Sequence, residues 1–126
     1  MLFRSALAIY TGDVVDGQAP AALGRELVMP EGITLCDADI AAIVLDTPIL
    51  NIKPVGVRVR PLAYGERVAS VGYGKRGDRL GAGDKFFREH VPVVTLTPAE
   101  FVVGESTCQG DSGGPALDEE DRKSVV

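Results

Sequence analysis

Apolar positions along the chain come in short runs broken by Gly, Pro and Asp, with no sustained helical period. Residues 6–10 (ALAIY) form the first run and predict a buried strand closed by the turn residues Thr11-Gly12-Asp13. A Pro/Ala/Gly stretch at 18–24 predicts a loop, and residues 26–29 a short strand before Pro30. Residues 40–45 (IAAIVL) are almost wholly apolar and of strand length, with Asp37 and Asp39 before them and Asp46 and Pro48 after; those flanks favour a strand over a short buried helix. In VGVRVRPL, Val55, Val57 and Val59 alternate with Gly56, Arg58 and Arg60, the pattern of a half-buried strand or an extended connector. Residues 67–71 lead as a strand into Gly72-Tyr73-Gly74, and 75–84 form a Gly-rich, charged hairpin loop. The long β-branched segment 86–96 predicts a strand in which Pro92 marks an edge or a bulge. A strand at 101–103 precedes a Gly/Ser/Cys loop, and Ala116-Leu117 begin another. About seven short strands with frequent turns predict an all-β barrel or sandwich, with no repeat, heptad or linker.

Composition agrees with that pattern. The 126 residues suffice for one domain with a core. Fifteen Gly and eight Pro suit a turn-rich fold, and 45% apolar with 25% charged residues is the balance of a soluble globular protein. The net charge of −5 and the absence of a basic run argue against nucleic acid as a partner. No apolar stretch approaches the roughly 18 residues that span a bilayer, so no membrane partner is expected. The opening MLFRSALAIY has a single Arg and no small-residue cleavage site, unlike a signal peptide. Cys36 and Cys108 are too few and too far apart for a metal site, and no cofactor is expected. Whether the two cysteines pair cannot be read from their spacing.

The chemistry concentrates in Gly110-Asp111-Ser112-Gly113-Gly114-Pro115. A serine hydroxyl that attacks a carbonyl needs a base for its proton and donors where the oxyanion forms. Gly110 lets the backbone turn so that its N–H and that of Ser112 point into one small space. Gly113 and Gly114 keep the rear of the loop free of Cβ atoms, and Pro115 stops a helix from starting there. A bare G-x-S-x-G is equally a Gly-rich turn that contains a serine. It also fits the nucleophile elbow of α/β-hydrolases, but that motif runs into a helix and is followed by its acid and histidine. Here Gly-Gly-Pro forbids the helix and no histidine follows Ser112.

The longer string Cys108-Gln109-Gly110-Asp111-Ser112-Gly113-Gly114-Pro115 resembles the active-site signature of the trypsin/chymotrypsin-like serine proteases at every position. The resemblance implies Ser112 as nucleophile, Gly110 and Ser112 as the oxyanion hole, and Asp111 as the carboxylate that receives the new N-terminus when a zymogen is cleaved. Asp39-Ile40-Ala41-Ala42-Ile43-Val44-Leu45 resembles the family's Asp-Ile-Ala-Leu-Leu segment, which implies Asp39 as the acid that orients the catalytic imidazole. Nearby Asp37 lacks the immediate Ile-Ala run, and a strand cap is the simpler alternative for Asp39. Gly65-Glu66-Arg67-Val68-Ala69-Ser70-Val71-Gly72-Tyr73-Gly74 resembles the strand that opens the family's second barrel. Three landmarks therefore fall in family order. The implied fold is all-β, an incomplete trypsin-like double six-stranded antiparallel β-barrel.

The base departs from the family pattern. The family's histidine precedes the acid in a Thr-Ala-Ala-His-Cys-like segment, and nothing in residues 1–38 resembles it. The sole histidine, His90, follows Asp39 within a strand-like segment and is expected to face solvent or lie on an edge strand. The family's primary pocket has its floor two residues before the cysteine matching Cys108. Ser106 takes that place, with Gln109 nearby, and the absence of an aspartate there implies an apolar or mixed side chain beside the scissile bond. The resemblance gives Cys108 a partner cysteine beyond residue 126, and Cys36 matches no family position.

Both ends are expected to be cut, with the peptidase domain at 6–120, the first barrel at about 6–60 and the second at 61–120. Asp121-Arg122-Lys123-Ser124 can be encoded by GAT CGG AAG AGC. The reverse complement of that string, read one base in, encodes Leu2-Phe3-Arg4-Ser5. A ligated sequencing adapter read on opposite strands would do this, so residues 1–5 and 121–126 are expected to be non-native. The expected function is a secreted serine endopeptidase acting on protein or peptide substrates through a Ser-His-Asp triad, in a chain that lacks the histidine and is inactive alone. The alternative is a non-catalytic homologue that binds a partner; a β-domain with a chance Gly-rich loop is a third reading. Open barrel edges predict self-association.

Overall fold

A computed structural model describes residues 7–31, 39–77, 80–98 and 100–120, and the backbone of 124–125. The described residues form strands and turns, without helix, in two compact units, Met1–Lys53 and Pro54–Val126. The fold is all-β, as the turn-rich composition predicts. The pairings among described residues are two open sheets, and closure of a barrel is not part of them.

The first unit is a three-stranded antiparallel sheet in the order β1-β2-β3, built from Leu7–Ile9, Ala22–Val28 and Ala42–Leu45. The second strand begins inside the stretch expected to be a loop, because Ala22, Leu23 and Gly24 pair with Ile9, Ala8 and Leu7. Gly24 is needed for that pairing: a Cβ there would lie 2.8 Å from Ile43 Cγ2 and 3.2 Å from Leu7 Cβ. After Gly24 an extra residue shifts the register against β3. Asp46 closes the sheet by accepting the Leu23 N–H at 2.9 Å on Oδ1, and this bond holds its carboxyl below the usual carboxylate range.

The second unit is a six-stranded sheet in the order β4-β9-β8-β5-β6-β7. Its strands are Val57–Arg58 (β4), Arg67–Gly72 (β5), Phe86–Leu96 (β6), Phe101–Val103 (β7), Ala116–Asp118 (β8) and Ser124–Val125 (β9). Every pair is antiparallel except β4 with β9. Val68, Val91 and Val93 are its buried centre, packed by Leu62, Phe101, Val103 and Ala116.

Two local expectations are corrected here. The valines around β4 face outward, with Val57 57% and Val59 96% exposed, while Arg58 between them is 4% exposed. Arg58 wins the buried face because its charge is met there. Its Nη1 donates to Asp118 Oδ2 at 3.0 Å and to Glu66 Oε1, and its Nη2 donates to Glu66 Oε2 at 3.1 Å. Backbone oxygens of Arg60 and Pro61 take two more of its N–H groups, at 3.1 and 2.8 Å. Pro92, in turn, is not on an edge: β6 lies between β5 and β7, with register shifts on both sides of Pro92. The bulges fall at residues 89–90 and at Val94, flanking Pro92, which itself pairs with Arg67.

Candidate functional site

Ser112 lies in the loop between β7 and β8, which returns against the end of β5. Two backbone bonds join them: Val71 N–H to Pro115 O at 3.4 Å and Lys75 N–H to Gln109 O at 2.9 Å. Within the loop, Asp111 N–H donates to Cys108 O at 3.1 Å and Gly114 N–H to Asp111 O at 2.9 Å, making two successive tight turns. Gly110 at φ 99° and Gly113 at φ 82° take the left-handed backbone that these turns require. Ser112, between these two glycines, is exposed.

The Asp111 carboxylate points back into the fold. Its Oδ1 accepts the Gly74 N–H at 2.7 Å and its Oδ2 the Cys108 N–H at 2.8 Å. Among the described residues, neither the Gly110 N–H nor the Ser112 N–H has a protein acceptor. A cleft of about 450 Å³ runs beside the loop, lined in part by Ser70, Gly72, Phe87, Ser106, Cys108 and Asp111. Ser70 Oγ donates to Ser106 Oγ at 3.1 Å, so the half-buried Ser106 presents a neutral hydroxyl. Gln109 is exposed, and the exposed Cys108 thiol has no disulfide partner among the described residues. Cys36 lies outside the described residues.

A family model described as Trypsin matches residues 14–125. The chain belongs to the trypsin family. No curated protein and no solved structure matches it. Membership gives the chain the general character of a trypsin-like serine peptidase, whose substrates are proteins.

Within this trypsin-family chain, the structure brings Ser106, Gln109, Gly110, Asp111 and Ser112 onto one loop against β5. Asp39 is exposed in the first unit, three residues before β3. His90 is exposed and occupies a bulge of β6, where two residues of β6 stand against Ala69 of β5. It is the only non-glycine residue at positive φ among the described residues, at 61°. Glu119, at the end of β8, accepts both its backbone N–H and its ring Nδ1–H, the latter at 3.0 Å. The backbone bond is the main cause holding the Glu119 carboxyl below its usual range. Sequence reasoning missed the engagement of Asp111 with Gly72-Tyr73-Gly74. Its one signal was a Gly-x-Gly directly after an apolar strand.

Proposed function

We propose that this chain carries two members of the Ser-His-Asp set of a serine endopeptidase, with Ser112 as nucleophile and Asp39 as the acid. The observation that carries this reading is the Ser112 loop. Its exposed hydroxyl is flanked by two backbone N–H groups without a protein acceptor among the described residues, as an oxyanion hole requires. In the reaction, Ser112 Oγ attacks the scissile carbonyl and passes its proton to an imidazole oriented by Asp39. The Gly110 and Ser112 N–H groups take the charge that develops on the oxygen, and the imidazolium returns its proton to the leaving amine. The imidazole is not assigned to His90, which follows Asp39 in sequence where the family's histidine precedes the acid, and which lies in the bulge of β6.

The neutral pair Ser70–Ser106 supports an apolar or mixed side chain at the scissile bond, and the exposed Gln109 is assigned to the same substrate pocket. Asp111 is assigned to an N-terminal ammonium after zymogen cleavage; the ammonium would meet a carboxylate that already accepts two backbone bonds. The same reading includes secretion, a disulfide partner for Cys108, and self-association of this chain through its open sheet edges.

A fluorophosphonate probe tests the assignment. The 126-residue chain is expected to remain unlabelled. A longer chain from the same gene that includes a histidine before Asp39 is expected to be labelled at Ser112, and its Ser112→Ala variant is not. Labelling of the 126-residue chain would overturn the external base. An unlabelled longer chain would make the protein a non-catalytic homologue.

A further inference from the structure

We propose that the cleft beside the Ser112 loop selects peptide segments with an acidic side chain, through Lys75, Arg76 and Arg88 on its lining. The proposal rests on the reading of Ser112 as nucleophile and names a substrate class for it. The acid sits on a neighbour of the substrate residue assigned to Ser106. Strand pairing places the cations. Across the β5–β6 ladder, Ser70 stands opposite Arg88 and Gly72 opposite Phe86. Residues paired in this way share a face of the sheet, and the Ser70 hydroxyl marks which face it is, because it bonds Ser106 on the cleft lining. Arg88 and Phe86, two residues apart on β6, therefore rise on the cleft side. Phe86 in turn carries Arg76, whose guanidinium lies 4.3 Å over its ring. Lys75 joins them from the turn after β5, where its backbone N–H is bonded to Gln109 O at 2.9 Å.

The charge of this group is largely unmet. Lys75 and Arg88 are exposed, and among the described residues neither has an ion pair or a side-chain hydrogen bond. Arg76 is shared with Asp84, to which its Nη2 donates at 3.3 Å. Of the acids on the lining, Asp111 already accepts two backbone N–H groups, which leaves the exposed Glu105. The rest of the chain has the opposite balance. With 18 acidic and 13 basic residues it carries a net charge of −5, so general attraction would draw in a basic peptide. The local field of the cleft favours the reverse. A guanidinium offers paired N–H donors to the two oxygens of a carboxylate, and stacking on Phe86 holds one such fork in place.

Amide-shift titration of the isotope-labelled 126-residue chain tests the cleft, with a glutamate-containing, end-capped peptide and its glutamine counterpart. The glutamate peptide is expected to shift the Lys75, Arg88 and Ser106 amides saturably, and the glutamine peptide to bind at least about threefold more weakly. Combining Lys75→Gln with Arg88→Gln should weaken the glutamate peptide about five- to tenfold, the loss of two exposed ion pairs, and scarcely affect the glutamine peptide. Combining Arg25→Gln with Lys53→Gln, which removes the same charge from exposed positions of the first unit, should match the wild type. Equal affinity for the two peptides would overturn the proposal. So would an equal loss in the two double variants, or sodium acetate shifting the same amides as strongly as the glutamate peptide. No readout requires Ser112 to react. Binding without fluorophosphonate labelling of the longer chain would leave a carboxylate-binding cleft on a non-catalytic homologue. Labelling without a glutamate preference would keep the peptidase and overturn this selectivity.

Discussion

A guanidinium taken out of water must have its donors occupied and its charge met, and Arg58 has both. Glu66 and Asp118 face it from different strand ends, and Arg60 adds a second, half-exposed cation on Asp118 at 3.1 Å. Removing only the cation leaves Asp118 buried without its main partner. Arg58→Met is therefore expected to cost about 3–5 kcal/mol, read as a lower urea midpoint. Acid titration checks the same cluster. The Arg58 hydrogen bond is the largest cause holding Glu66 below its ordinary value of 4.5. Folded Glu66 binds a proton less readily than unfolded Glu66. Its contribution is therefore complete above the ordinary value and lost as pH falls through the lower folded one. In Arg58→Met this part of the acid slope should flatten.

At the scale of elements, the bulge of β6 shows how a strand can be bent by a local choice of residue. His90 takes the left-handed backbone, which is uncommon for a side-chain-bearing residue but reached more often by His than by most. Glu119 holds it there by accepting from both backbone and ring. A β-branched residue cannot adopt this backbone without strain, so His90→Val is expected to destabilise the second unit by about 1–2 kcal/mol more than His90→Gly. Thermal unfolding of the two variants side by side makes the comparison. Equal midpoints would mean that the bulge had shifted to a neighbouring residue. The hairpin that feeds β6 is also braced locally, with the Arg76 guanidinium 4.3 Å over the Phe86 ring and paired with Asp84 at 3.3 Å.

The whole molecule is thinly covered. Ala22 is the one buried hydrophobic residue described in the first unit, while Leu7, Leu23, Val28, Ile43 and Val44 are all exposed. Among the described residues, strands β1 and β3 end the first sheet and β4 and β7 end the second, with exposed apolar side chains such as Leu7, Ile43, Val57 and Val102 on them. Such edges pair readily with further chains. The proposed self-association predicts that sedimentation velocity will show a weight-average coefficient that rises with concentration. A single monomeric boundary at all concentrations would count against it.

Sequence alone determined the strand-rich fold, the bounds of β6 and β7, and the Ser112 loop with its family. These are local matters, set by turn residues, β-branched runs and a motif whose glycines must stand at fixed offsets. It could not rank Arg58 above its neighbouring valines, because alternation counts apolar side chains and does not see that Glu66 and Asp118 converge on one guanidinium. Nor could it find the two-strand register that opens the bulge at His90, or extend β2 back through Ala22-Leu23-Gly24 to meet β1. The engagement of Asp111 had a visible trace in Gly72-Tyr73-Gly74, but the need for bare glycines arises only when another loop is brought within van der Waals distance. Local preference is carried by neighbours along the chain. Burial of a charge, register and close backbone approach depend on partners up to 60 residues away, as for Arg58 and Asp118, and only the tertiary structure supplies them.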